Sequence, residues 1–228
     1  MVIALKSIFP KRQGWRLAAK AVIFGVALYF FYLDPSWWRA LIFLLLAGGF
    51  YIRPLFNLIN FLPLLLALLL LAIWLAGLPH LGWRFLLALI LAAAYGLLLA
   101  AKNLVLIHRP QWLYILAGGL GYLTLINFFF LEKSDFSWRW LLAVLLFYLI
   151  FKNLFGESLP AVLGTLLIGQ LLWVIAWLPI GFFSSANLSF LAFILLLDIF
   201  HKEQVSWRQL GLMAALMAVV LVTAYWRL

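Results

Sequence analysis

The side chains of this sequence that could do chemistry are few, and they stand in apolar surroundings. Gln170 lies near the middle of an apolar run, Asn57 and Asn60 sit one turn apart ahead of Pro63, and Asn127 follows Thr124 by three residues. A carboxamide carries two donors and one acceptor oxygen. In hydrocarbon it must therefore meet a neighbouring helix, a freed carbonyl or a ligand. Glue between helices is the ordinary use, and a polar site facing the bundle interior is the functional one. Gln170, the most central, is expected to face the interior and bond another helix or a cavity water. Thr165 shares its segment.

Asp198 ends another apolar run, with His201 three and Lys202 four residues later, all on one helical face. An Asp/His pair can relay protons or ligate a metal, but one of each is too few for a closed zinc site. The structural alternative is an Asp198–Lys202 pair at the membrane interface. His108 and Glu157 fall on the same expected side, and nothing in their spacing brings them in. His-Glu-x-x-His, Gly-x-Ser-x-Gly and Gly-rich nucleotide loops do not occur. The last two spans carry no mid-helix Lys for a retinal. These residues predict no enzyme, no cofactor and no metal site.

The elements that must position these groups follow from composition. Of 228 residues, 69% are hydrophobic and 10% charged, with no Cys, against about 45–50% and about 25% in soluble domains. Mean hydropathy is +1.19. The sequence predicts an all-α polytopic transmembrane bundle of nine spans, over residues 17–33, 38–52, 57–77, 84–101, 111–131, 138–151, 159–179, 184–200 and 208–226. Eight spans with a re-entrant hairpin over 180–200 is the alternative. Pro, Gly and charged residues separate the runs. The second and sixth look short, with Arg39 and Arg53, or Arg139 and Lys152, close together at their ends, so these cations should snorkel outward. Pro63 and Pro179 are read as helix breaks. Glycines at 48–49, 118–119, 121, 164 and 169 are read as close-packing positions.

Residues 1–16 read as a basic segment on the membrane surface, and 17–228 as one transmembrane domain. Lys6, Lys11, Arg12, Arg16 and Lys20 before an apolar run imitate a signal peptide, but no small-x-small site follows. The first run is therefore read as a retained helix.

A net charge of +10 would suggest nucleic acid in a soluble protein; here the cations flank apolar runs, so lipid headgroups are the expected partners and nucleic acid is not. With the N-terminus inside, Lys6, Lys11, Arg12, Arg16, Lys20, Arg53, Lys102, Arg109, Lys152, Lys202 and Arg208 face the cytoplasm. Arg39, Arg84, Lys133, Arg139 and Arg227 face out. This positive-inside bias predicts a multi-pass protein of the cell (cytoplasmic) membrane, N-terminus in and C-terminus out.

Trp-Arg recurs at the opening of runs, at Trp38-Arg39, Trp83-Arg84, Trp138-Arg139 and Trp207-Arg208, and cations close them. Interfacial anchoring in an aromatic belt explains the pairs, and a tandem two-helix repeat over about 17–180 is the second reading. Function narrows to a non-catalytic membrane component or scaffold, partnered by the bilayer and by other membrane subunits or a second copy. The alternative is a small transporter, channel or lipid-handling protein with a mid-membrane polar site.

Overall fold

The computed structural model describes residues 11–53, 58–77, 81–103, 109–130, 136–178, 180–201, 211, 215–219 and 222. Its elements are α1 (Lys11–Leu33), α2 (Trp37–Ile52), α3 (Leu58–Leu75), α4 (Leu81–Lys102), α5 (Arg109–Phe130), α6 (Phe136–Phe155), α7 (Ser158–Ala176) and α8 (Phe182–His201). All but α2 are long and apolar enough to cross a membrane. The chain is a helical membrane protein.

Local sequence explains two of the boundaries. Pro110 occupies the second position of α5, where its missing N–H costs nothing. Gly156 takes a positive φ of 72° between α6 and α7, a conformation glycine adopts without a Cβ penalty. Residues 11–16, assigned above to the surface segment, already belong to α1.

Several expectations change. The sixth segment is not short: α6 has 20 residues, about 30 Å, with Arg139 and Lys152 inside it. α2 keeps only 16. α3 runs through Pro63 without ending, so that proline does not break the span. α8 is one unbroken helix of 20 residues, not a re-entrant hairpin. The expected ninth segment falls almost wholly outside the described residues, as does Pro179.

The chain divides into two compact units, residues 1–116 and 117–228. In the first, α1 and α4 pack antiparallel at close range. A Cβ at Gly25 would lie 2.8 Å from Ala92 Cβ, and one at Gly96 would lie 3.1 Å from Ala21 Cβ. Phe24 stacks on Tyr95 at 4.2 Å and tilts against Phe43 at 5.1 Å, and all three are buried. In the second unit, α6 and α7 pack likewise: Phe151 covers Gly164, and Val144 and Trp140 cover Gly169. Phe147, Phe151 and Phe193 form its aromatic core. Of the glycines read as packing positions, 121, 164 and 169 meet neighbours, whereas 48, 49, 118 and 119 face open space.

A β-branched side chain at position 25 must push α1 away from α4. Gly25→Val is expected to lower stability by about 1–3 kcal/mol. Gly48→Ala, in open space, should be neutral or raise it by up to about 1 kcal/mol through helix propensity. Thermal unfolding in detergent measures both.

Candidate functional site

In hydrocarbon the commonest spare acceptor is a helix carbonyl, which keeps a second lone pair after its intrahelical bond. The first unit uses it repeatedly. The Tyr32 hydroxyl donates to the Ala72 carbonyl at 2.9 Å, Tyr51 to Leu58 at 2.7 Å and Tyr95 to Ala47 at 2.6 Å. Arg84 Nη1 donates to the Tyr32 carbonyl, near the end of α1, at 2.8 Å.

The C-terminus of α2 collects two ammonium groups. Lys20 Nζ, from α1, donates to the Phe50 carbonyl at 3.1 Å and to the Arg53 carbonyl at 2.7 Å. Lys102 Nζ, from the last turn of α4, donates to the Tyr51 carbonyl and lies 4.4 Å from the Tyr51 ring centroid. Lys102 is fully buried. A helix C-terminus carries about half a negative elementary charge on its unpaired carbonyls, and this arrangement sets two full positive charges against it. Sequence reasoning had placed both lysines only as flanking charges.

The second unit holds a buried polar patch of another kind. A Cβ at Gly121 would lie 3.0 Å from the Phe193 ring. Tyr122 meets Phe190 at 5.0 Å, and Phe130 meets Phe182 at 5.3 Å. Residue numbers rise along α5 as they fall along α8, so the two helices are antiparallel. Thr124 and Asn127 therefore lie level with Ser189 and Ser185. All four are buried. The Thr124 hydroxyl donates to the Leu120 carbonyl at 2.8 Å. Asn127, 1% exposed, has no hydrogen-bond partner on either amide atom among the described residues, and neither has the Ser189 hydroxyl. Asn127 was anticipated; the serines were missed, although Ser185-x-x-x-Ser189 on one face of an apolar helix is a readable signal.

Among the described residues, the other anticipated ones do not converge. Gln170 is exposed on α7, which corrects the expectation that it faces the interior. The buried stripe of α7 is Ala161, Gly164, Thr165, Ile168, Gly169, Leu172 and Ile175. The small glycines admit Phe151 and Trp140, and the Trp140 indole donates to the Gly169 carbonyl at 2.8 Å. That turns Gln170 to the far side. Thr165 is buried and donates to Ala161 at 2.6 Å. Asn60 is exposed in the first turn of α3, and Asn57 lies outside the described residues. Asp198 is half-buried near the end of α8, while Lys202, His108 and the His201 side chain lie outside the described residues; Glu157 is exposed. No three His, Cys, Asp or Glu residues gather as a metal site among the described residues.

Trp38, Trp83 and Trp138 all point outward from the first turns of their helices. Their arginines differ. Arg39 pairs with the Asp34 carboxylate at 3.1 Å, Arg84 holds the α1 carbonyl, and the Nε of Arg139 is buried. Trp207 and Arg208 lie outside the described residues.

A buried amide with no partner is a standing penalty of about 1–3 kcal/mol. Asn127→Leu, which keeps the branching at Cγ and removes the unanswered amide, is therefore expected to raise stability by about 1 kcal/mol, as replacement of unsatisfied buried polar groups can. A melting temperature below wild type would show that the amide serves as interhelical glue.

No family model matches this chain, and neither a curated protein nor a solved structure is significantly similar to it.

Proposed function

We propose that the chain is a non-catalytic component of a larger assembly in the cell membrane, docked to another transmembrane helix through the outer face of α7. The supporting observation is Gln170. It stands mid-span on a face otherwise made of Leu163, Leu166, Leu167, Trp173 and Val174, all exposed. An amide turned to acyl chains forgoes its hydrogen bonds, whereas one packed against a second helix recovers about 0.6–2 kcal/mol.

Mass determination in mild detergent tests this reading. Wild type should run as a stoichiometric complex with a second subunit, or as a homodimer. Gln170→Leu should release the monomer without lowering its melting temperature. A wild-type protein that is monomeric in lipid nanodiscs and in detergent would overturn the proposal.

The charge bias supports the N-terminus inside and the C-terminus outside. A reporter enzyme fused after Leu228 should accordingly be active on the external face, and activity in the cytoplasm would refute nine spans with this orientation.

Asn127 and Ser189 favour a second reading, a small transporter, channel or lipid-handling protein whose polar site lies between α5 and α8. A monomer whose melting temperature rises with an added polar solute, an effect abolished by Asn127→Leu, would favour it over the component.

A further inference from the structure

The cations at one end of the first unit exceed what the fold needs. Lys20 and Lys102 already overcompensate the C-terminus of α2, whose dipole supplies about half a negative charge. Two guanidinium groups join them. Arg16 precedes Lys20 by one turn of α1, and both Arg16 and Arg53 are exposed. The antiparallel register set by Gly25 against Ala92 and Ala21 against Gly96 puts Arg16 level with residues 101–102 of α4. Four cations from three helices thus share one end of the unit. No acid balances them: Asp34 is the single acidic residue between positions 1 and 116. It lies at the other end of α1, about 21 Å from Lys20 by helical rise, and is paired with Arg39.

We propose that this end of the first unit binds the phosphate of an anionic phospholipid headgroup, with Arg16 and Arg53 as its ligands above the fixed ammonium groups of Lys20 and Lys102. Guanidinium groups suit phosphate because their paired N–H groups match two of its oxygens. The two lysines hold the local potential positive and cannot swing away, since both are bonded to carbonyls of α2. The occupant is a lipid rather than free phosphate because each guanidinium has an exposed apolar neighbour. Trp15 is 79% exposed beside Arg16, and Ile52 is 51% exposed beside Arg53. A ligand that meets both guanidiniums and both apolar side chains carries phosphate and hydrocarbon together. Basic pockets between transmembrane helices recognise anionic headgroups in this way. The site is independent of the α7 face and holds whether or not the protein has a partner.

Native mass spectrometry of the full chain in detergent tests the site, with phosphatidylglycerol and phosphatidylcholine of identical acyl chains in equal amounts. Wild type should retain phosphatidylglycerol over phosphatidylcholine by about tenfold, and excess inorganic phosphate should not displace it. Arg16→Gln with Arg53→Gln should bring the two lipids to parity. Arg39→Gln, at the opposite end, should leave the preference intact. Arg16→Lys with Arg53→Lys keeps the charge but loses the paired donors and should fall between, which separates a lost ligand from a lost fold. An unchanged preference in the double glutamine variant overturns the site, and so does an equal loss in Arg39→Gln. Displacement by inorganic phosphate overturns the lipid as its occupant.

Discussion

Hydrocarbon contains no hydrogen-bonding partner, so any donor carried into the span must find its acceptor in the protein. In this chain, poor in polar side chains, the acceptors are the backbone carbonyls of neighbouring helices. Tyr32, Tyr51, Tyr95, Lys20, Lys102, Arg84 and Trp140 each reach a carbonyl of another segment or helix end. A mid-helix carbonyl such as Ala47 or Gly169 keeps a lone pair after its own i+4 bond, and a carbonyl at a helix C-terminus has no i+4 partner to lose, so these ties form without unwinding the acceptor helix. They also fix the rotation of each helix about its axis, which apolar contacts among leucines leave loosely specified.

The donors and the small residues act together. Gly25 and Gly96 let α1 and α4 approach, and that closeness brings Lys20 and Lys102 to the same end of α2. In the second unit Gly169 both admits Trp140 and offers it a carbonyl. A glycine thus serves packing and hydrogen bonding at a single position. Membrane helices gain little from burying leucine, because lipid is as apolar as the protein interior. Close approach and carbonyl ties are what remain to hold them.

The polar groups divide by whether they enter this scheme. Thr124 and Thr165 spend their hydroxyl protons within their own helices and are left only as acceptors. Asn127 and Ser189 stay buried and unanswered among the described residues, and Gln170 turns outward. The two departures have different meanings. A buried amide without a partner is held against its own free energy by the surrounding packing, whereas an exposed one in a span invites a second helix. The lysines do enter the scheme, and they bring more positive charge than the α2 dipole offsets.

Composition and hydrophobic runs determined much by themselves. The helical membrane class, and the position of each of the first eight segments to within six residues at either end, follow from them, because about 20 apolar residues are what a bilayer requires. Where Gln170 falls along α7 was likewise within reach, by counting along the run. Which way Gln170 points was not. Azimuth depends on which stripe of α7 meets a neighbour, and that was decided by Phe151 and Trp140 fitting over Gly164 and Gly169, residues far apart in the chain. The same holds for Lys20 and Lys102. Read along the sequence they are flanking charges at two separate helix ends, 82 positions apart by their numbers. Only the packing of α1 against α4 sets both on the carbonyls of α2, because a contact between distant segments is a property of the folded arrangement and leaves no local spacing to read.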